Sequence, residues 1–435
     1  MPGVFDSIHQ AMAEIVRQVP PNPLGVETDR DTYEWVDFED DDGGRIMPSW
    51  SAPFASPYLY RGQWKRIQPC IPSLYRFDGR CALAKHPQLL EPSERDLFLL
   101  RQCWLAEFKE VLETHPAVAH AGKIGLHLGR DALAQHYGIP TDHLDLTADP
   151  DVAAFFATNT YDDKTGEWQP VRDGGTGIIY RFDLTVFPRV LGEACDLGDY
   201  FRVLEMIGLQ TLPRPGEQKA WSLHLPPGVD FERLPMDVFE FRHTRHGSDH
   251  FHSLFNHGTA LFPPDVLADK AAEIMRSGRV PRGVVTAMLR SHDCREDRLE
   301  EAIDCYAGRF ASLGRFATEV CDIGSRHFSP EVLARATADV EARAPAFLRK
   351  VGVRPVKLVS PAALAAELQR SKRPQVRAMC ARQLGELGPS AREAVPALLK
   401  ALQDPDPDVR ASATEALRSI EHPGADMAQR REPPL

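Results

Sequence analysis

Strand-like patterning stops near residue 264 of this 435-residue chain and only helical periodicity follows, so two classes of structure must fold in series. Upstream, short apolar–polar alternations predict strands at 31–38, at Tyr58-Leu59-Tyr60 and at 176–182. Helical spacing predicts helices over 1–18, from Pro92 through SERDLFLLRQCWLAEFKEVLE, over 127–137 as far as Gly138, and over 149–159. The last has Asp149 to cap it and Pro150 in its first turn. The polar stretch 161–175, which ends in Gly174-Gly175, reads as a loop. Strands and helices mix without regular βαβ alternation, which makes this part α+β and not doubly wound. Downstream, helical patterns fill 264–277, 296–313 and 330–349.

Composition narrows the function classes. No run approaches the roughly 18 apolar residues of a membrane span, and the N-terminus lacks a basic start followed by an apolar run. The eight cysteines (70, 81, 103, 195, 294, 305, 321 and 380) form no CxxC pair and read as free thiols of a reducing compartment. These features predict a cytoplasmic protein with no membrane association. A formal charge of −11 argues against general nucleic-acid binding. The acidic run Glu39-Asp40-Asp41-Asp42 reads as a solvated loop.

Near the end the chain repeats itself. Pro374-Gln375-Val376-Arg377-Ala378 is echoed 33 residues on by Pro407-Asp408-Val409-Arg410-Ala411. This resembles the HEAT repeat, whose D-x-x-V-R-x-x-A-x-x-A-L pattern puts Val, Ala and Leu on one packed face. In the first copy Cys380 and Leu384 take the packed positions. The resemblance implies a protein partner bound through these helices. The Pro-, Arg- and Glu-rich tail after Ile420 reads as disordered.

Two upstream segments carry the residues that chemistry needs. In Tyr60-Arg61-Gly62-Gln63-Trp64, followed by Pro72-Ser73-Leu74-Tyr75-Arg76, a guanidinium sits at a strand end beside a glycine that permits close backbone approach. Such an arginine either holds a phosphate or carboxylate bidentately or ties strand ends through their carbonyls; spacing leaves both open. In Gln135-His136-Tyr137-Gly138-Ile139-Pro140-Thr141 and on to Asp145 and Thr147, a rigid Gly-x-Pro turn carries a helix end into a strand. His136 is suited to acid/base work, and the alternative is that His136 and Asp145 are buried and mutually satisfied. A histidine set at 243, 246, 250, 252 and 257 has no HExxH and no cysteine partner, and reads as surface or structural, with no metal site expected.

Together these words resemble the FRG domain: Arg61-Gly62-Gln63, Pro72-Ser73-Leu74-Tyr75-Arg76, the segment 135–141, Leu144-Asp145 with Thr147, and Ala154-Phe155-Phe156-Ala157, within roughly 57–225. Tyr60 stands for the family's Phe, Asp142-His143 for Arg-Leu, and Leu146 for Trp. The resemblance implies a split-sheet, ADP-ribosyltransferase-like α+β domain, followed by an all-α HEAT-like region. The divisions are 1–56 (N-terminal helix and connector), 57–262 (FRG domain), 263–355 (helical region), 356–422 (HEAT-like helices) and 423–435 (tail). It implies NAD as substrate, bound by Arg61, Gly62, Gln63, Tyr137, Asp145, Thr147 and Phe156, with Glu217, Gln218 and His136 in catalytic roles. Tyr137, Phe155 or Trp221 would stack on nicotinamide. Gln218 falls in the element 214–221, which loosely matches the family's R-x-x-x-Q. Two functions stay open: an NAD-consuming transferase or glycohydrolase, by analogy a toxin-like or phage-defence effector, or an inactive nucleotide- or protein-binding adaptor.

Overall fold

The computed structural model describes residues 3–18, 33–36, 45–48, 58–77, 90–123, 126, 128–162, 164–172, 174–183, 203–208, 210–292, 294–350, 361–371, 374–386 and 388–421. The acidic run at 39–42 and the tail after 421 lie outside them. Contacts gather the chain into two compact units. One joins Met1–Glu34, Ile46–Ala119 and Leu128–Ala342, and the other joins Trp35–Arg45, His120–His127 and Arg343–Leu435.

The first unit is built on six strands: β1 (Tyr58–Gln63), β2 (His143–Thr147), β3 (Thr176–Asp183), β4 (Leu204–Met206), β5 (Ala220–His224) and β6 (Asp237–Arg242). They lie in the order β6-β3-β1-β2-β5-β4, every neighbouring pair antiparallel. β1 pairs with β3 along its whole length, from Tyr58↔Asp183 to Gln63↔Ile178, and β2 pairs likewise with β5. β1 meets β2 only at Tyr60↔Thr147. The sheet is therefore continuous, but its two three-stranded halves are joined at one residue pair.

Side-chain alternation gives each face its own core. Leu59, Leu144, Leu146, Ile178, Tyr180, Phe182, Trp221 and Leu223 fill one. Tyr60, Ile179, Phe239 and Phe241 fill the other, covered by helices α1 (Ile8–Arg17) and α4 (Pro150–Thr158). In α1 the buried Ile8, Ala11, Met12 and Ile15 follow the helical period, and the Ser7 side chain caps the start. In α4 the Asp149 carboxylate accepts from Asp151 N at 2.9 Å and Pro150 occupies the first turn, as its sequence predicts. A Cβ on Gly62 would stand well inside contact distance of the Ala153 carbonyl oxygen, 2.7 Å from Ala153 C and 2.9 Å from Ala157 N. The glycine is what lets α4 lie directly on β1.

The remaining helices of the site are α2 (Pro92–Glu113), α3 (Arg130–His136), α5 (Pro213–Glu217) and α6 (Arg245–Leu254). α2 starts in a capping box of Glu91 and Glu94, and the helices Val266–Arg276, Arg282–Ser291 and Leu299–Ala311 pack on it. Its Glu107 is fully buried and pairs with Arg326, which also donates to Ser277 Oγ and Arg279 O, each at 2.7 Å. Two sequence expectations need correction. The polar stretch 161–175 is not all loop: Asn159–Asp162 and Glu167–Pro170 form a hairpin, whose Trp168 packs against Phe155, Phe156 and Phe262. Nor do strands end at 264, because Arg279–Pro281 and Glu319–Cys321 pair in parallel.

In the second unit, helices Pro361–Arg370, Pro374–Glu386, Val395–Ala401 and Pro407–Glu421 enclose one apolar core. Cys380 and Leu384 are fully buried there, alongside Leu398, Val409 and Ala413. Arg377, from the repeated Val-Arg word, holds Asp404 bidentately at 2.7 Å through both Nε and Nη2. Leu384→Ala is expected to cost about 2–5 kcal/mol, read as a lower urea midpoint for this unit. A midpoint unchanged from wild type would contradict the packing. Among the described residues no helix is long and apolar enough to cross a membrane.

Candidate functional site

α3 delivers Gln135 and His136 to the edge of β2, and Gly138, at φ +82°, turns the chain back into that strand. The Gln135 Oε1 accepts from Ser73 Oγ at 3.0 Å and from Thr141 Oγ1 at 2.9 Å, while Ser73 Oγ accepts from Thr141 N at 3.2 Å. The two sequence words are thus one hydrogen-bonded unit. With its oxygen occupied, Gln135 turns its amide nitrogen to Asp145 Oδ2, 3.4 Å away.

His136 is oriented from its other side. Gln218 Nε2 donates to Leu261 O at 3.0 Å, which presents its Oε1 to His136 Nδ1 at 3.2 Å. A carbonyl oxygen only accepts, so Nδ1 carries the hydrogen in this network. The other ring nitrogen, Nε2, lies 3.0 Å from Asp145 Oδ1, at an angle that makes no hydrogen bond. The imidazole is 2% exposed and the Asp145 side chain 39%. A buried base atom therefore adjoins a carboxylate that solvent or a ligand can reach.

The other expected site residues divide. Arg61 donates from Nη1 to the Asp145 backbone carbonyl at 2.6 Å, bridging β1 and β2 just beyond their last paired residues, and its Nε has no partner. It ties strands through a carbonyl, one of its two open readings. Gly62 meets α4, and Gln63 is buried with its Nε2 3.5 Å from Cys70 Sγ. Thr147 Oγ1 donates to Gln218 O at 2.7 Å, fastening β2 to the turn after α5. Tyr137, Phe155 and Trp221 are buried in the core, and the Tyr137 hydroxyl donates to Asp265 at 2.6 Å. Phe156 is half-buried against Trp168 and Phe262. Glu217 is exposed at the end of α5; the carboxylate that meets His136 is that of Asp145.

Two more residues belong to this region: Ser222, which was not singled out in the sequence, and Arg214, the arginine of the R-x-x-x-Q element at 214–221. Ser222 is fully buried, faces Asp145 across β5 and has an unpartnered hydroxyl. Arg214, in α5, donates from Nη1 to the His136 carbonyl at 3.2 Å. Its signal in the sequence is its place as the arginine of the loosely matched R-x-x-x-Q element.

The departures at 142 and 143 form a cluster of their own. Asp142 Oδ1 lies 2.8 Å from His143 Nδ1 and Oδ2 lies 3.2 Å from His224 Nε2. Burial alone would raise the Asp142 pKa, but the hydrogen bonds and charges of the two histidines hold it well below the carboxylate range. The bond from Asp142 raises His224 above its ordinary 6.5, against the opposing effect of burial. The signs fix the window. The depressed acid stabilises the fold above about pH 3.8 and loses this as pH falls through its folded value. The raised His224 stabilises fully below about pH 6.5 and loses this as pH rises through its folded value. Asp142→Asn should therefore lower stability by about 1.5–3 kcal/mol in that window, with the gap to wild type narrowing at alkaline pH. Melting curves taken from pH 4 to 9 test this, and a gap independent of pH would count against it.

The histidine set is spread over α6 and its flanks. His9 meets His246 and His250 with ring centroids 5.3 and 5.1 Å away, and His243 Nε2 lies 2.6 Å from Trp64 O. Burial, with the charges of His250 and His246, lowers the His9 pKa. Among the described residues no group of three or more His, Cys, Asp or Glu side chains is arranged to hold a metal ion.

Neither curated proteins nor solved structures yielded a match to the chain. Family models did: that of the FRG domain matches residues 56–166, which hold β1, β2, α3 and α4, and that of HEAT repeats matches 361–428. The Ser73, Gln135 and Asp145 unit thus falls within the first match, and the chain carries an FRG domain followed by HEAT repeats.

Proposed function

We propose that the chain consumes NAD, as an ADP-ribosyltransferase or NAD glycohydrolase, on an ADP-ribosyltransferase-like split sheet. The observation that carries this reading is the half-exposed Asp145 carboxylate, set between His136 Nε2 and Gln135 Nε2 where the two half-sheets part. In the reaction the bond from ribose C1′ to the nicotinamide nitrogen breaks and its electron pair leaves with nicotinamide. Positive charge develops on the ribose, and a carboxylate fixed beside it lowers that barrier. An acceptor hydroxyl or water then attacks C1′, and its proton passes through the reachable Asp145 carboxylate to His136 Nε2, the basic position of the ring beside it. Gln218 acts through His136 by fixing its tautomer, and is a positioning residue.

The HEAT helices supply a surface for a protein partner, which fits a toxin-like or phage-defence effector whose activity is directed by what those helices hold. The adaptor reading is favoured by a specific fact: Arg61 and Gln218 are already engaged by backbone and side-chain partners within the fold. Incubation of the purified chain with NAD, with and without cell extract, separates the two. Release of nicotinamide is the expected result, and neither release nor binding of NAD would leave the adaptor.

A further inference from the structure

Three buried or largely buried arginines elsewhere in this protein have carboxylates, whereas Arg101 is held by the carbonyls of Ser73, Leu74 and Arg76. Arg181 meets Asp237, Arg326 meets Glu107 and Arg377 meets Asp404. Arg214 has none within ion-pairing distance among the described residues. Its one hydrogen bond there goes to the His136 carbonyl, and its Nε is buried without a partner. The guanidinium lies 4.6 Å from the centroid of Phe262 and 5.6 Å from that of Tyr137. Phe262 in turn stacks on Trp168 at 5.0 Å, so the aromatic ladder fixes where the guanidinium sits. Burial pushes the Arg214 pKa below its ordinary value, against the pull of Asp265 and Asp145. An arginine nevertheless keeps its proton, and a half-buried cation with a buried, unsatisfied donor costs free energy until an anion arrives. The fork of two donors suits a phosphate held bidentately.

We infer that Arg214 is an anion-binding residue of the His136 and Asp145 site and takes the pyrophosphate of the dinucleotide substrate. The inference rests on the NAD-consuming reading, because the phosphates are the anionic groups of that substrate. The geometry orders the parts: Arg214 holds the backbone of His136, and the ring of the same residue meets Asp145, so the anion-binding group and the reacting carboxylate are linked through one residue.

The test uses the full chain and inorganic pyrophosphate, against sodium chloride of equal ionic strength. Pyrophosphate should raise the wild-type melting temperature by a few degrees through binding to the folded state. Arg214→Gln should abolish that rise. Arg214→Lys, which keeps the charge without the fork, and Phe262→Leu, which removes the ladder, should each weaken binding several-fold. Arg290→Gln, at an exposed pair with Glu296, should respond as wild type does. The Lys and Leu variants decide the matter if the Gln variant fails to fold. No rise in wild type, or an equal rise in all variants, overturns the inference. With NAD as substrate, Arg214→Lys should raise KM several-fold and leave kcat within about twofold of wild type. Nicotinamide release with an unchanged KM would sink the role of Arg214 alone. A pyrophosphate response without any nicotinamide release would sink the NAD-consuming reading alone.

Discussion

Asp145→Asn should lower nicotinamide release by about 10³-fold and leave the melting temperature within a degree or two of wild type. The size follows from what the carboxylate does in the proposed reaction. There its charge would face the ribose as positive charge develops, and loss of one such fixed electrostatic contact removes roughly 4 kcal/mol of transition-state stabilisation. The stability forecast follows from exposure. Asp145 is 39% exposed, its contact with Gln135 Nε2 is long at 3.4 Å, and asparagine keeps its shape. Arg61 grips the backbone carbonyl of Asp145, which the substitution leaves in place. Nicotinamide quantified by chromatography, beside a thermal melt, gives both numbers. Glu217→Ala is the companion: exposed at the end of α5, it should release nicotinamide within about twofold of wild type. A reversal, with Asp145→Asn active and Glu217→Ala dead, would move the catalytic carboxylate to Glu217.

What the sequence made legible was local. The Asp149 cap with Pro150 behind it, and Cys380 with Leu384 on one helical face, depend on spacing within a few residues and appear in the structure as read. The words around Ser73 and Gln135 were visible, but not that their side chains bond each other across 62 positions. The hairpin at 159–170 was hidden because its strands are four residues each and polar outward; only Trp168 betrays an inner face. Arg214 was legible as the arginine of the R-x-x-x-Q element, but not what makes it unusual. Its interest lies in the carboxylate that is not beside it, and the absence of a partner is a property of tertiary packing. The same holds for Glu217 and Gln218, adjacent in sequence yet one exposed and the other buried, where a helix end turns into β5.

Gly62→Ala is expected to destabilise the first unit by about 3 kcal/mol or more, visible as a large fall in urea midpoint. The glycine of the Arg-Gly-Gln word looks, in sequence, like a place where a ligand comes close to the backbone. In the structure the close neighbour is α4. The added methyl would overlap the Ala153 carbonyl and crowd Ala157 N, and both are helix backbone that cannot rotate away as a side chain would. Relief requires α4 to lift from β1, which opens the core formed by Tyr60, Ala153, Ala154, Ala157 and Ile179. It would also drag Asp149, whose amide is fixed by Thr147 Oγ1 at 3.0 Å, away from the strand that carries Asp145. A glycine reserved for a ligand predicts the opposite pattern, with normal stability and weakened NAD binding. Equilibrium unfolding of Gly62→Ala beside its affinity for NAD separates the two. A stable variant that has lost only its affinity would return Gly62 to the binding site and leave the seating of α4 to the apolar core alone.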